Sequence, residues 1–398
     1  MSAQAAPATP ASARRDLGRR LRTGRLDGVQ VLVMLVAIWT VFALLNGRFL
    51  SAVNLTNLVL QIAAVGMIST GLVLVLLLGE IDLSAAAVSG LAAGVTAVLS
   101  VRHGVPAVPA IAAGLAAGTA IGAFQGLVVT GFGIPSFVVT LAGLLGWQGA
   151  LLAVLGQSGT VNLTDPTITG LTSTFLAPWL GWLAAAAIVG VFAGARLMER
   201  ARRRHAGLAV RPAASTWAAV ALVAGAAAGA VALLGADRGV PLAALLLLAV
   251  VAGTDWIARR TVFGRRVYAV GGNAEAARRA GIPVRRVRVQ VFAIASTLAA
   301  AGGILAASRL FAVNQSSGGG DLLLLAIAGP VVAGTSLFGG RGSVWSALTG
   351  ALVIGSVSNG MDLLGLESAV KFMVTGAVLL GAVVLDAATR SPGGERAL

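Results

Sequence analysis

RRTVFGRRVYAVGGNAEAARRAGIPVRRVR, residues 259–288, places nine arginines in a chain that is otherwise mostly hydrocarbon. Apolar stretches long enough to cross a bilayer flank it on both sides. A charged loop in that setting belongs to a polytopic membrane protein, and an excess of arginine beside spans marks the cytosolic face.

The rest of the composition agrees. The chain is 57% hydrophobic and 11% charged, with mean hydropathy +0.92. A soluble domain carries about 25% charged residues, so these charges are too few to cover a water-facing surface, and an integral membrane protein is expected. The formal net charge of +15 invites a nucleic-acid reading. It is rejected because the charge sits in loops between apolar segments, with six basic residues in Arg14–Arg25, six in Arg196–Arg211 and nine in Arg259–Arg288. With no cysteine, disulfide, thiolate and Cys-based metal chemistry are excluded. His103 and His205 are far apart and make no metal site.

A span needs about 20 apolar residues. Candidates fall near 29–46, 57–78, 85–101, 106–130, 134–155, 176–196, 214–235, 240–257, 289–309, 322–338, 343–361 and 366–386. The expected fold is all-α, with about 10–12 transmembrane helices; a count of 10 follows if two short segments are re-entrant. The basic clusters fix the parity: six spans separate the tail from 196–211, two more lead to 259–288 with a turn at Ala236–Gly239, and four follow. Both termini then lie in the cytosol. Residues 1–28 read as a disordered cytosolic tail, 29–388 as the membrane domain with cytosolic loops at about 197–213 and 258–288, and 389–398 as a cytosolic C-terminal tail. The first apolar run, Val29–Asn46, lacks a clear small-x-small cleavage site and reads as a retained span rather than a signal peptide.

Polar breaks inside the apolar region are the candidates for chemistry. Gly79-Glu80-Ile81-Asp82-Leu83-Ser84 ends one helix and starts another. Carboxylates at membrane depth are expensive unless they face protein or water. The local reading has Asp82 or Ser84 capping the next helix; the functional one sets Glu80 and Asp82 at a gate or substrate path. Ser136 and Thr140, one turn apart after Pro135, either line a polar face or bond back to their own helix. Ser84 and Asn359 complete the candidate path. Gly114, Gly118, Gly122 and Gly126 form a smooth stripe for close helix packing, within one subunit or across a dimer. Glu367 and Lys371 have the spacing of a helical ion pair. Lys371 is the only lysine and lies outside any Gly-Lys-Ser/Thr, so the chain has no Walker A loop. No Ser/His/Asp set and no dinucleotide fingerprint is present, so an enzyme is not expected and no cofactor is implied.

Inside the arginine-rich loop, Asn273 is a good N-cap, Gly281 suits the C-terminal cap, and Pro283 stops the helix. One or two helical turns, Asn273 to Ala280, should project into the cytosol as a docking surface or serve only to anchor topology.

Six segments carry a resemblance: GEIDLS at 79–84, IPSFVVTLAGLLGWQGALL at 134–152, RGVPLAALLLL at 238–248, TVFGRRVYAVGGNAEAARRAGI at 261–282, AGTSLFGGRGSV at 333–344 and SNGMDLLG at 358–365. Together they make the chain resemble the sugar-importing ABC transporter permeases of the ribose/xylose type, D-xylose permeases most of all, from about Gln30 to Thr389. The resemblance implies that Gly271, Asn273, Glu275, Ala276, Gly281 and Ile282 form the element that contacts an ABC ATPase subunit. It also implies a second permease copy forming a homodimeric pore, an extracytoplasmic sugar-binding protein, and alternating access across the cell membrane. Two departures bear on the sugar: Ala85-Ala86 stand where xylose-type permeases tend to have Val-Gly, and Leu323-Leu324-Leu325 where they tend to have Glu-Leu-Asp, leaving Asp321 nearby. The rival reading is a secondary transporter coupled to protons or sodium, which needs an ionisable midplane site.

Overall fold

The computed structural model describes residues 27–210 and 212–389. The tail expected at 1–28 lies outside the described residues up to position 26, and so does the C-terminal tail from 390 on. Among the described residues there are fifteen α-helices and one two-stranded sheet. They are α1 (Asp27–Leu45), α2 (Ala52–Leu77), α3 (Ala85–His103), α4 (Ala107–Phe132), α5 (Ser136–Leu155), β1 (Thr160–Asn162), α6 (Pro166–Ser173), α7 (Pro178–His205), α8 (Ala213–Gly235), α9 (Leu242–Arg260), α10 (Val262–Gly272), α11 (Ala274–Arg279), α12 (Val284–Leu310), β2 (Ala312–Asn314), α13 (Leu322–Val332), α14 (Trp345–Leu363) and α15 (Ser368–Thr389). Each of the twelve apolar candidates overlaps one helix. Among the described residues, eight helices are long and apolar enough to cross a membrane. Three more apolar stretches are shorter, within α1, α13 and α15. The chain is therefore an all-α, multi-pass membrane protein.

Burial sorts the helices into layers. α2 is buried over 83% of its apolar window, α3 and α12 over 67%, whereas α7 and α8 reach only 11%. α12 forms the axis, packing on α4, α2 and α3. α7 and α8 pack on each other and leave Trp179, Trp182, Val191 and Trp217 exposed on the outside, where lipid chains would cover them.

The glycine stripe explains the close approach of α4 to the centre. A Cβ at Gly118 would lie 2.8 Å from the Ser296 carbonyl oxygen, one at Gly122 2.2 Å from that of Phe292, and one at Gly126 2.8 Å from the Val289 Cα. Gly114 meets Ala92 of α3 in the same way. The stripe is thus spent on packing within one chain. Lipid offers little hydrophobic drive for helix association, so such backbone contact is what holds the bundle.

Three features depart from the sequence expectation. The span expected at 322–338 is an 11-residue helix, because Gly334 and Gly339 take positive φ and end it. β1 pairs antiparallel with β2 through Val161 and Val313, a pairing between short segments far apart in sequence. Lys371 bonds Asp362 rather than Glu367, since the turn at Gly365 (φ 67°) brings the end of α14 beside the start of α15.

Candidate functional site

The expected short helix is present. Asn273 is its N-cap, its side-chain oxygen accepting the Ala276 N–H at 2.9 Å, and Gly281 closes it at φ 79°. Glu275 lies between Arg278 and Arg279 in exposed ion pairs at 3.6 and 3.2 Å. Ala277 faces inward, and Ile282 packs partly buried against the main core. The sequence reading missed α10, which precedes it. Thr261 caps α10 by accepting the Gly264 N–H at 3.2 Å, and α10 and α11 form a helical hairpin.

One side of this hairpin is fixed to the bundle. A Cβ at Gly271 would sit 1.8 Å from the Leu77 carbonyl oxygen at the end of α2 and 2.9 Å from the Gly340 nitrogen. The Gly340 N–H itself donates to that Leu77 oxygen at 2.9 Å. Tyr268 donates to the Gly342 carbonyl at 3.1 Å, and Arg259 to Ser343 at 2.7 Å. Burial pushes the Tyr268 phenol above its ordinary range, with Arg259 pulling it back and Asp255 adding to the rise, so it stays a donor at neutral pH. Three segments far apart in sequence, 77–79, 268–272 and 339–343, therefore meet backbone to backbone.

The 79–84 break lies next to this junction. Glu80 pairs with Arg288 on the first turns of α12 at 2.9 Å, the two side chains 12% and 29% exposed. One arginine of the basic loop thus has a partner in the break. Asp82 is fully buried; its Oδ1 accepts the Ser84 N–H at 2.9 Å and the Ser84 hydroxyl at 2.7 Å, while Oδ2 has no hydrogen-bond partner among the described residues. The Ser84 oxygen in turn accepts from the side-chain amide of Gln125 of α4 at 2.9 Å. Ser84 occupies the N-cap of α3 but makes no side-chain cap bond, so it is Asp82 that serves the helix entry. Ser136 accepts the Ile81 N–H at 3.2 Å and Thr140 the Leu83 N–H at 3.0 Å. Thr140 also bonds back to Ser136 of its own helix at 2.9 Å. These two hydroxyls hold the backbone of the break and satisfy donors that hydrocarbon would leave unpaired.

The fold brings together Glu80, Asp82, Ser84, Ser136 and Thr140, adding Gln125 and Arg288. Asn359 stands apart. It exchanges amide bonds with Asn54 at 2.8 and 3.1 Å, near the opposite end of α2.

A cavity of about 520 Å³ opens on that opposite side, and sequence reading did not find it. Its polar lining includes Gln61, Arg309, Asn314, Asp321, Ser358 and Lys371. These residues come from α2, α12, β2, the loop before α13, α14 and α15. In the sequence its trace is the glycine run Gly318-Gly319-Gly320 before Asp321.

Residues 54–383 match the family described as branched-chain amino acid transport system / permease component. The chain belongs to this family. The permease is 38% identical to the xylose transport system permease protein of Escherichia coli K12, over 91% of this chain and 93% of the relative. It is 35% identical to the protein of that name from Haemophilus influenzae, over 83% and 89%. It is 32% identical to the ribose import permease protein of Bacillus subtilis, over 85% and 84%. These relatives are named as permeases rather than enzymes. No solved structure matches the chain.

Proposed function

We propose that this permease is the membrane subunit of an ATP-driven, binding-protein-dependent importer of xylose or a related monosaccharide. The observation that carries the reading is the α10–α11 hairpin. Its inner side is locked to the end of α2 and to 339–343, while Glu275, Arg278 and Arg279 lie exposed on its outer side. A force applied to the outer side by a docked ATPase subunit passes to α2 through backbone contacts, and to α12 through the covalent link at Ile282-Pro283. On the arginine bias, this end of the bundle and both termini would face the cytosol. Two permease copies side by side, each with its hairpin in an ATPase, would open alternately inward and outward, and a sugar-binding protein would dock at the far end. Gly271, Asn273, Glu275, Ala276, Gly281 and Ile282 are the coupling residues in this scheme. Glu80, Asp82, Ser84, Ser136 and Thr140 transmit or gate rather than contact sugar, because Glu80 is paired with Arg288, Asp82 Oδ1 with Ser84, and the Ser136 and Thr140 hydroxyls with the backbone of the break.

The sugar assignment rests on the full-length relatives, although the family description names branched-chain amino acids. The ion-coupled alternative would place its coupling site at Asp82 Oδ2. The test is co-purification and uptake. Tagged permease should bring down an ATPase subunit, and Glu275→Arg or Gly281→Trp should abolish pentose uptake while leaving the protein in the membrane. Wild-type protein that captures no ATPase, with uptake that collapses under a proton uncoupler at constant ATP, would refute the reading.

A further inference from the structure

The loop at 315–321 is non-helical backbone that reaches into the bundle at Gly318, while Gln315, Ser316 and Gly320 are exposed. Gly318 takes φ 73° and packs on Ala86 and Gly90 of α3, where a Cβ would lie 2.1 Å from the Ala86 carbonyl oxygen. At the same level Gly303 of α12 packs on Ser89, and Gly303 lies seven residues before the end of α12, roughly 10 Å in at 1.5 Å per residue. Irregular backbone at such depth is tolerated only where protein buries it or where it lines a water-filled cavity. Here it does the second, forming one wall of the 520 Å³ space. The volume falls in the range of small-molecule sites, about 300–1,000 Å³.

The chemistry of the walls narrows the occupant. Arg309 and Lys371 are balanced by Asp321 and Asp362, so the lining has no net formal charge and gives no electrostatic preference to an ion. Lys371 and Asp362 are paired with each other. The side chains of Gln61, Ser358 and Asp321 have no hydrogen-bond partner among the described residues, and Phe372 offers an exposed ring at the rim. Free amide, hydroxyl and carboxylate groups around a charge-neutral space, beside an aromatic surface, suit a neutral polyhydroxylated ring whose edges donate and accept while its C–H face lies on the aromatic side chain.

We infer that this cavity is a sugar-contact site built within a single permease copy, with Gln61, Ser358 and Asp321 taking the hydroxyls of a monosaccharide. The inference rests on the sugar-permease reading and adds the place where the sugar is held. Since the chain has no cysteine, Ser358→Cys supplies a unique and nearly isosteric label. In the assembled importer, saturating D-xylose or D-ribose should slow reaction of that thiol with a small methanethiosulfonate reagent, and L-leucine and succinate should not. Gln61→Leu should raise the pentose KM for uptake between about twofold and tenfold, the worth of one neutral hydrogen bond, with little change in kcat. If Ser358→Cys labels at one rate with every solute while the same complex takes up pentose, the site is wrong and the importer reading stands. If L-leucine protects and no pentose enters, both fall. Should Gln61→Leu fail to co-purify with the ATPase, the labelling result alone decides.

Discussion

Gly271→Ala is the sharpest perturbation of the coupling hairpin. The new Cβ would stand 1.8 Å from the Leu77 carbonyl oxygen, with Gly340 nitrogen at 2.9 Å. Real Cβ contacts essentially never fall under 3.0 Å, so α10 must retreat by at least about 1.2 Å. Both opposing atoms are backbone, and no side chain can swing aside. Overpacking of this kind costs about 1–3 kcal/mol, and loosening the Gly340–Leu77 hydrogen bond adds about 1 kcal/mol. The neighbouring Gly272→Ala is the control. Its Cβ meets nothing within 4 Å, and replacing a helical glycine by alanine gains about 0.5–1 kcal/mol. Thermal unfolding of the purified permease in detergent, followed by size-exclusion chromatography, should therefore separate two adjacent glycine-to-alanine changes by about 2–4 kcal/mol, with opposite signs relative to wild type. Displacement of about 1 Å in a positioned element can cost ~10²-fold in rate, so uptake should fall far more for Gly271→Ala. Equal stability of the two variants would refute the seating of the hairpin on α2.

Three other outcomes follow from contacts described above. Glu80→Gln and Arg288→Gln should each destabilise by about 1–2 kcal/mol, the double variant by less than their sum, because a half-buried partner is no longer left charged and alone; additive melting shifts would deny the pair. Gly122→Ala should cost about 1–3 kcal/mol through its approach to the Phe292 carbonyl, whereas Gly131→Ala on the same helix, with nothing within 4 Å, should melt near wild type. Asn359→Leu should lose about 1–3 kcal/mol by stranding the Asn54 amide, and Asn54→Leu combined with it should recover part of that loss, as a double-variant melting series would report.

The short helix after Gly272 could be read in advance because its signals are local: an asparagine cap, a glycine stop and a proline beyond. The helix before it could not. Gly264, Gly271 and Gly272 look like breakers, yet Gly264 and Gly271 are there so that α10 can approach Ala258, Leu77 and Gly340. The 79–84 break was visible as polar residues among apolar ones, but its meaning depended on Arg288 and Gln125, which no spacing rule connects to it. Asn359 is joined to Asn54, 305 positions away, by contacts that no spacing rule connects either. The cavity was hidden most thoroughly, since Gln61 and Lys371 are separated by most of the chain and each is unremarkable in its own helix.

The glycine stripe on α4 also fixes the order of events during synthesis. Its partner α12 begins at Val284, some 150 residues after α4 ends at Phe132. At a translation rate of about 5–20 residues per second, α4 waits roughly 8–30 seconds in the bilayer before the surface it fits begins to be made. Through that interval only the Gly114 end of its smooth face has a partner, Ala92 of α3, while Gly118, Gly122 and Gly126 meet lipid or insertion machinery, and α2 and α3 likewise lack the helix around which they close. The interior of this protein is thus completed late in translation, and a ribosome stalled before α12 leaves a set of inserted helices with no centre.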